Sequence, residues 1–314
     1  MEQAKVYFTD FRTVAFGDGL PTKLQKLIRR AGIDAIDMEG KFVAIKIHFG
    51  ELGNISYLRP NYAKAVVDLV RQLGGKPFLT DCNTMYPGSR KNALEHLACA
   101  WENGFTPLSA GCPILIADGL KGTDDIAVPV VGGEYIEEAR IGRAIMDADV
   151  FISLTHFKGH AMGGFGGSMK NIAIGCADGR IGKQQVHAVS DVNLPWDQWP
   201  GKEMLMETMA ESAKAVCDYF GQKIVFINVL RRMSVDCDCA GTSAAEPTIP
   251  DIGILASTDI LAIDQASVDL VYGRPAAEKH DLVERIESRH GLHQLTAMKA
   301  LGMGNDQYDL ITVP

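Results

Sequence analysis

VFISLTHFKGHAMGGFGGSMKN, residues 150–171, begins with an apolar run, Val150–Leu154, that is short enough and rich enough in β-branched and aromatic residues to read as a buried strand. Directly behind it come His156, Lys158, His160, Lys170 and five glycines. In an open α/β sheet ligands gather where strands end, because the backbone leaves the sheet there and the next helix offers free amides. Glycines at 159, 163 and 164 make the segment after the strand a loop, and Ser168, Lys170 and Asn171 at a following helix start could cradle an anion. The spacing of the two histidines does not make a zinc-protease motif, since no glutamate accompanies them, and GGFGG fits neither common nucleotide-loop pattern.

Working outward, further strand-like runs fall at Lys5–Phe8, Phe42–His48, Pro77–Thr80, Ile114–Ala117, Val128–Val131, Ile224–Leu230 and Gly253–Ala256. Helical patterns separate many of them, at Thr22–Ala31, Asn61–Leu73, Arg90–Asn103, Tyr135–Met146 and Lys202–Phe220, and the last part of the chain turns helical. This alternation predicts an α/β fold, a mainly parallel sheet with helices on both faces and a helical C-terminal part. No fixed-period repeat or low-complexity linker divides the 314 residues, so a single compact body, with room for two lobes, is expected. Residues 182–201 are the least regular and are expected to form a surface excursion.

The excess of 39 acidic over 31 basic side chains, a formal charge of -8, opposes attraction to nucleic acid or an anionic membrane. No apolar run spans a bilayer and the N-terminal MEQAKVYFTDF lacks a signal-peptide pattern, so a cytoplasmic location is expected. Seven cysteines in a chain of this length suit reduced thiols, some of them metal ligands, better than a disulfide framework.

Other strand ends carry chemistry too. VAIKIHFGELGN places Lys46 and His48 on one strand face, followed by Glu51, and an ammonium in so apolar a strand calls for a carboxylate or an anionic ligand. LTDCNTMYPGSRKN offers Asp81 and Arg90 as ligand contacts, while its Asn83, Thr84 and Ser89 suit turns and caps. GCADGRIGKQQVH adds Cys176, Lys183 and His187. VDCDC holds the closest cysteine pair, Cys237 and Cys239, which an extended backbone would turn to the same side, toward a metal ion or an iron-sulfur edge. That pair alone lacks the four-cysteine spacing of a ferredoxin.

Together, IKIHFGELGNISYLRPNYAKAVVDLV, FLTDCNTMYPGSRKNALEH, SLTHFKGHAMGGFGGSMKNIAIGCA and CDCAGTSAAEPTIPDIGILASTDILAIDQASVDLV resemble the domain of unknown function 362 family over nearly the whole chain. The resemblance implies an iron-sulfur connection, because many members carry a ferredoxin-like insertion, placed here between His187 and Lys202. The cysteines of that insertion are absent from AVSDVNLPWDQWPG, so any metal site must use the shared body. The family motifs match His48, Glu51, Asp81, Arg90, His156, Lys158, His160, Lys170, Asn171, Lys183, His187, Cys237, Cys239 and Asp264.

The expectation is a cytoplasmic metalloprotein of redox or enzymatic type, an oxidoreductase being one form of it, with a metal ion or iron-sulfur cluster as cofactor. His156, His160, Cys237, Cys239 and Cys176 are the metal-ligand candidates, and His48, His187 and Lys158 the catalytic ones. Lys46, Glu51, Asp81, Arg90, Ser168, Lys170, Asn171 and Lys183 would surround a small anionic ligand. Two alternatives stand beside it: a metal-free enzyme acting on a small phosphorylated or carboxylated compound, and a noncatalytic partner of an iron-sulfur electron-transfer protein. An exposed apolar patch near Leu194, Trp196 and Trp199 would favour the partner reading.

Overall fold

The computed structural model describes residues 3–13, 19–191, 194–195 and 198–314. The first half runs β1 (Ala4–Thr9), α1 (Leu20–Arg30), β2 (Phe42–Lys46), α2 (Pro60–Gln72), β3 (Lys76–Asp81), α3 (Ala93–Glu102), α4 (Pro107–Ala110), β4 (Ile114–Ile116), β5 (Asp125–Pro129), β6 (Glu138–Gly142) and α5 (Arg143–Met146). It continues through β7 (Val150–His156), β8 (Lys158–His160), β9 (Gly164–Gly166), α6 (Ser168–Cys176), α7 (Ile181–Val186), α8 (Lys202–Phe220), β10 (Ile224–Leu230) and β11 (Gly253–Ser257). α9 (Ile260–Tyr272), α10 (Ala276–Ser288), α11 (His293–Ala300) and β12 (Tyr308–Thr312) close the chain.

Eight strands form the main sheet in the order β12-β1-β11-β10-β7-β2-β3-β4, all pointing one way except β11, which is antiparallel to both its neighbours. The expected mainly parallel α/β sheet is therefore present. Alternate residues of each central strand enter opposite cores, as the two-residue strand period requires. Val43, Ile45, Val150, Ile152 and Leu154 join Leu27, Val66 and Leu69 from α1 and α2 on one face. Ala44, Phe151 and Phe226 join Met169, Ile172, Met209 and Ile263 from α6, α8 and α9 on the other.

Two expectations change. The helical pattern over Tyr135–Met146 gives only the short α5, because residues 138–142 pair with β5 as an antiparallel hairpin, and that pairing overrides local propensity. The excursion after Gly182 starts as α7, and its Lys183 and His187 are buried. No helix among the described residues is long and apolar enough to cross a membrane.

Candidate functional site

β2, β3 and β7 end side by side, and a cavity of about 300 Å³ opens beyond them, lined by Lys46 of β2, Asp81 of β3, the segments that follow these strands, the β8–β9 hairpin, α6, α7 and the loop around Cys237. Lys46 reaches it from the face of β2 that meets α6. Gly175 permits this, since a methyl group there would overlap the Lys46 side chain. The ammonium lies 3.1 Å from Asp81 Oδ1 and donates to Asn171 Oδ1 at 2.9 Å. Burial opposes ionisation of Asp81, but Lys46, then His96 and Arg90, hold its carboxyl below the usual range. Arg90 Nε pairs with Glu51 Oε2 at 3.0 Å, and Glu51 also accepts the Ser89 amide. Glu51 thus stands behind Arg90 rather than in the cavity wall.

The β8–β9 hairpin supplies the opposite wall. Gly159 donates its amide to Ser234 O at 2.8 Å and has no room for a side chain against Val235, so the hairpin lies flush on the segment that carries the cysteine pair. Donor atoms of His160, Cys237 and Cys239 then come within 4.8 Å of one another. Lys170 Nζ stands 3.7 Å from Cys237 Sγ. A hydrogen bond from Cys239, helped by the Lys170 and Lys158 ammonium groups, outweighs burial and holds the Cys237 thiol well below its usual range, while Cys239 is pushed up. Lys158 pairs with Asp238 at 3.2 Å, which outweighs burial and keeps it an ammonium. It therefore cannot serve as a neutral base.

Three imidazoles border the cavity. His48 accepts the Gly50 amide at Nδ1 (2.9 Å), and His160 accepts the Gly163 amide at Nδ1 (2.9 Å). Burial lowers the pKa of both, aided by Arg90 at His48 and by Lys170 at His160. Each is then a neutral ring with its hydrogen on Nε2. Burial, with Lys170 and Lys183, brings His187 down to about 3. Its Nε2 meets the Tyr86 hydroxyl, and Trp199 packs on its ring at 5.4 Å between centroids.

Four sequence-based assignments are corrected by placement. His156 has both ring nitrogens occupied, Nδ1 by Asp238 at 2.8 Å and Nε2 by the Arg231 carbonyl at 2.7 Å, so it anchors the cysteine loop instead of facing a metal. Cys176 lies in the core with burial pushing its thiol to about 12. Ser168 is fully buried and donates to Asn228, and the amides of Ser168 and Met169 are taken by Asp264 at 2.7 and 3.0 Å. The start of α6 is thus capped internally, and these two amides are not free for an external anion. Glu51 is the fourth, as described.

A ferredoxin-type cluster does not fit, because it needs four thiolates in one place. Cys82 also borders the cavity, but it donates to the Cys176 carbonyl at 3.2 Å and burial drives its thiol well up. Two sulfurs and an imidazole do suit a single transition-metal ion. Sequence reasoning missed Tyr86 and Asp238 as site residues; the position of Asp238 between the two cysteines was the available signal.

Trp199 is buried, at 8% exposed, and Leu194 is exposed, at 37%; Trp196 lies outside the described residues.

The thylakoid-associated protein sll1697 of Synechocystis sp. is 27% identical over 227 residues, 69% of this chain. The match covers 58% of that relative, so the chain spans less than two thirds of its length. Among solved structures, the lactate racemase apoprotein from Thermoanaerobacterium thermosaccharolyticum aligns with a TM-score of 0.47 at 12% identity, covering 99% of this chain and 83% of that one. A protein from Thermotoga maritima aligns with a TM-score of 0.43 at 10% identity, covering 87% and 57%. Residues 43–269 match the family described as Domain of unknown function (DUF362), and the chain belongs to that family.

Proposed function

We propose that the protein is a cytoplasmic enzyme that binds a small anionic compound beside a single metal ion held by His160, Cys237 and Cys239. The convergence of these three donors within 4.8 Å, on the wall of a cavity that also carries Lys46, Arg90, Lys158, Lys170 and Lys183, carries the reading. A bound metal would supply Lewis-acid or redox chemistry. The chain's own groups supply the rest. The cations attract and orient the anion, and His48 and His187, both neutral, are the groups available to hold or pass a proton. A small redox partner protein is compatible with an oxidoreductase of this design.

Metal analysis of protein purified without oxygen tests the proposal. One equivalent of metal, lost in Cys237→Ser and Cys239→Ser, is the expected result; metal-free protein with full activity would overturn it. One observation favours a metal-free enzyme instead. Nδ1 of His160 accepts the Gly163 amide, which leaves the ring hydrogen on Nε2, so a metal must displace one or the other. In that reading Cys237 acts as a free thiolate, and the metal measurement separates the two.

A further inference from the structure

We propose that Lys183 and His187 form an oxyanion subsite at one part of the cleft and take the carboxylate or phosphate of a small ligand. This rests on the reading of the cleft as a ligand site and specifies which of its cations are available. Lys46, Lys158 and Arg90 already face carboxylates at 3.1, 3.2 and 3.0 Å, and Lys170 leans on the Cys237 sulfur.

Lys183 differs from all of them. It is 1% exposed, borders the cavity, and donates to the Ala177 carbonyl at 2.6 Å. Among the described residues no carboxylate oxygen lies within 4.0 Å of its ammonium group. Asp81, Asp118 and Asp178 exert a field on it, but Asp81 pairs with Lys46 and the oxygens of the other two are committed to the amides of Asn83, Gly179, Arg180 and Gly182. A buried ammonium with one neutral partner and two idle N–H groups is unfavourable unless something else binds it.

His187 stands four residues on, and the turn of α7 puts both side chains on one wall. Its Nδ1 is buried with no hydrogen-bond partner among the described residues. Burial keeps the Tyr86 phenol protonated, and in the tautomer proposed that hydroxyl donates to Nε2 and the ring hydrogen sits on Nδ1. In that tautomer Lys183 and Nδ1 of His187 both present donors that no group among the described residues fully satisfies, which suits an acceptor-only oxyanion. A cavity of about 300 Å³ is at the small end for ligand sites and favours a compact metabolite over a nucleotide.

Thermal unfolding of the full chain, as purified, is measured for wild type, Lys183→Met and His187→Leu during titration with inorganic phosphate and, separately, succinate. At least one anion is expected to raise the wild-type Tm, and the apparent Kd weakens by about tenfold or more in both variants, as loss of a charge-assisted contact implies. A response to phosphate alone identifies a phosphate ester, and to succinate alone a carboxylate. Without anion, Lys183→Met is expected to melt at or above wild type, because it removes a buried charge that no carboxylate among the described residues pairs directly. No response of the wild type to either anion, a retained response in Lys183→Met, or a lower anion-free Tm for that variant would overturn the proposal. Metal content measured on the same samples shows independently whether the metal reading fails.

Discussion

Lys46 Nζ stands 3.1 Å from Asp81 Oδ1 across the ends of two adjacent parallel strands, with neither side chain more than 3% exposed. The pair joins the floor of the cleft to Arg90, whose Nη1 lies 3.9 Å from the other Asp81 oxygen. One carboxylate thus faces two buried cations. A second, Glu51, is needed to balance the guanidinium.

Asp81→Asn removes that central charge without changing side-chain volume. The expected cost is about 3–5 kcal/mol, the usual result of breaking a buried pair and leaving its partner uncompensated. Urea unfolding of the variant against wild type measures it. A cost below 1 kcal/mol, on the order of an exposed pair, would show that Lys46 and Arg90 do not depend on Asp81.

The same carboxylate predicts a pH limb. Burial raises the Asp81 pKa, and Lys46, with the neighbouring His96 and Arg90, more than offsets it, so the folded value lies below the unfolded value of about 3.9. The folded protein then releases this proton more readily than the unfolded chain. The stability from this group is therefore complete at neutral pH and lost as pH falls below about 5. Unfolding free energy measured from pH 7 to pH 3 should fall less steeply in Asp81→Asn than in wild type, and parallel curves would contradict the assignment.

Gly175→Ala tests the approach of Lys46 to α6. The added methyl overlaps a lysine that cannot retreat without leaving Asp81 and Asn171, so a loss of about 1–3 kcal/mol is expected from overpacking. Gly221→Ala serves as the comparison, since its Cβ would meet no atom within 4 Å, although its positive φ carries its own strain. Equal melting of Gly175→Ala and wild type would mean that Lys46 relaxes freely.

Much of the fold was legible in the chain. Val150–Leu154 and Ile224–Leu230 are continuous apolar runs because parallel strands are buried on both faces, and both became central strands. The charged end of β2 was legible too, because an ammonium at Lys46 in such a run has to find a partner. Tyr135–Met146 was misread because a hairpin partner at Asp125–Pro129 cannot be seen from a local helical pattern.

Sequence by itself determined the element types, the mainly parallel sheet and the cluster of cations, imidazoles and thiols near strand ends, because periodicity and residue chemistry are local properties. Tertiary structure decided which groups were already satisfied. Asp264 comes from 96 residues beyond Ser168 to cap α6, and Asp238 comes from 82 residues beyond His156 to occupy its ring, so neither remains for a ligand. It also left Lys183 without a carboxylate partner within 4.0 Å among the described residues. Charge compensation depends on distances across the fold, and residue identity does not contain them.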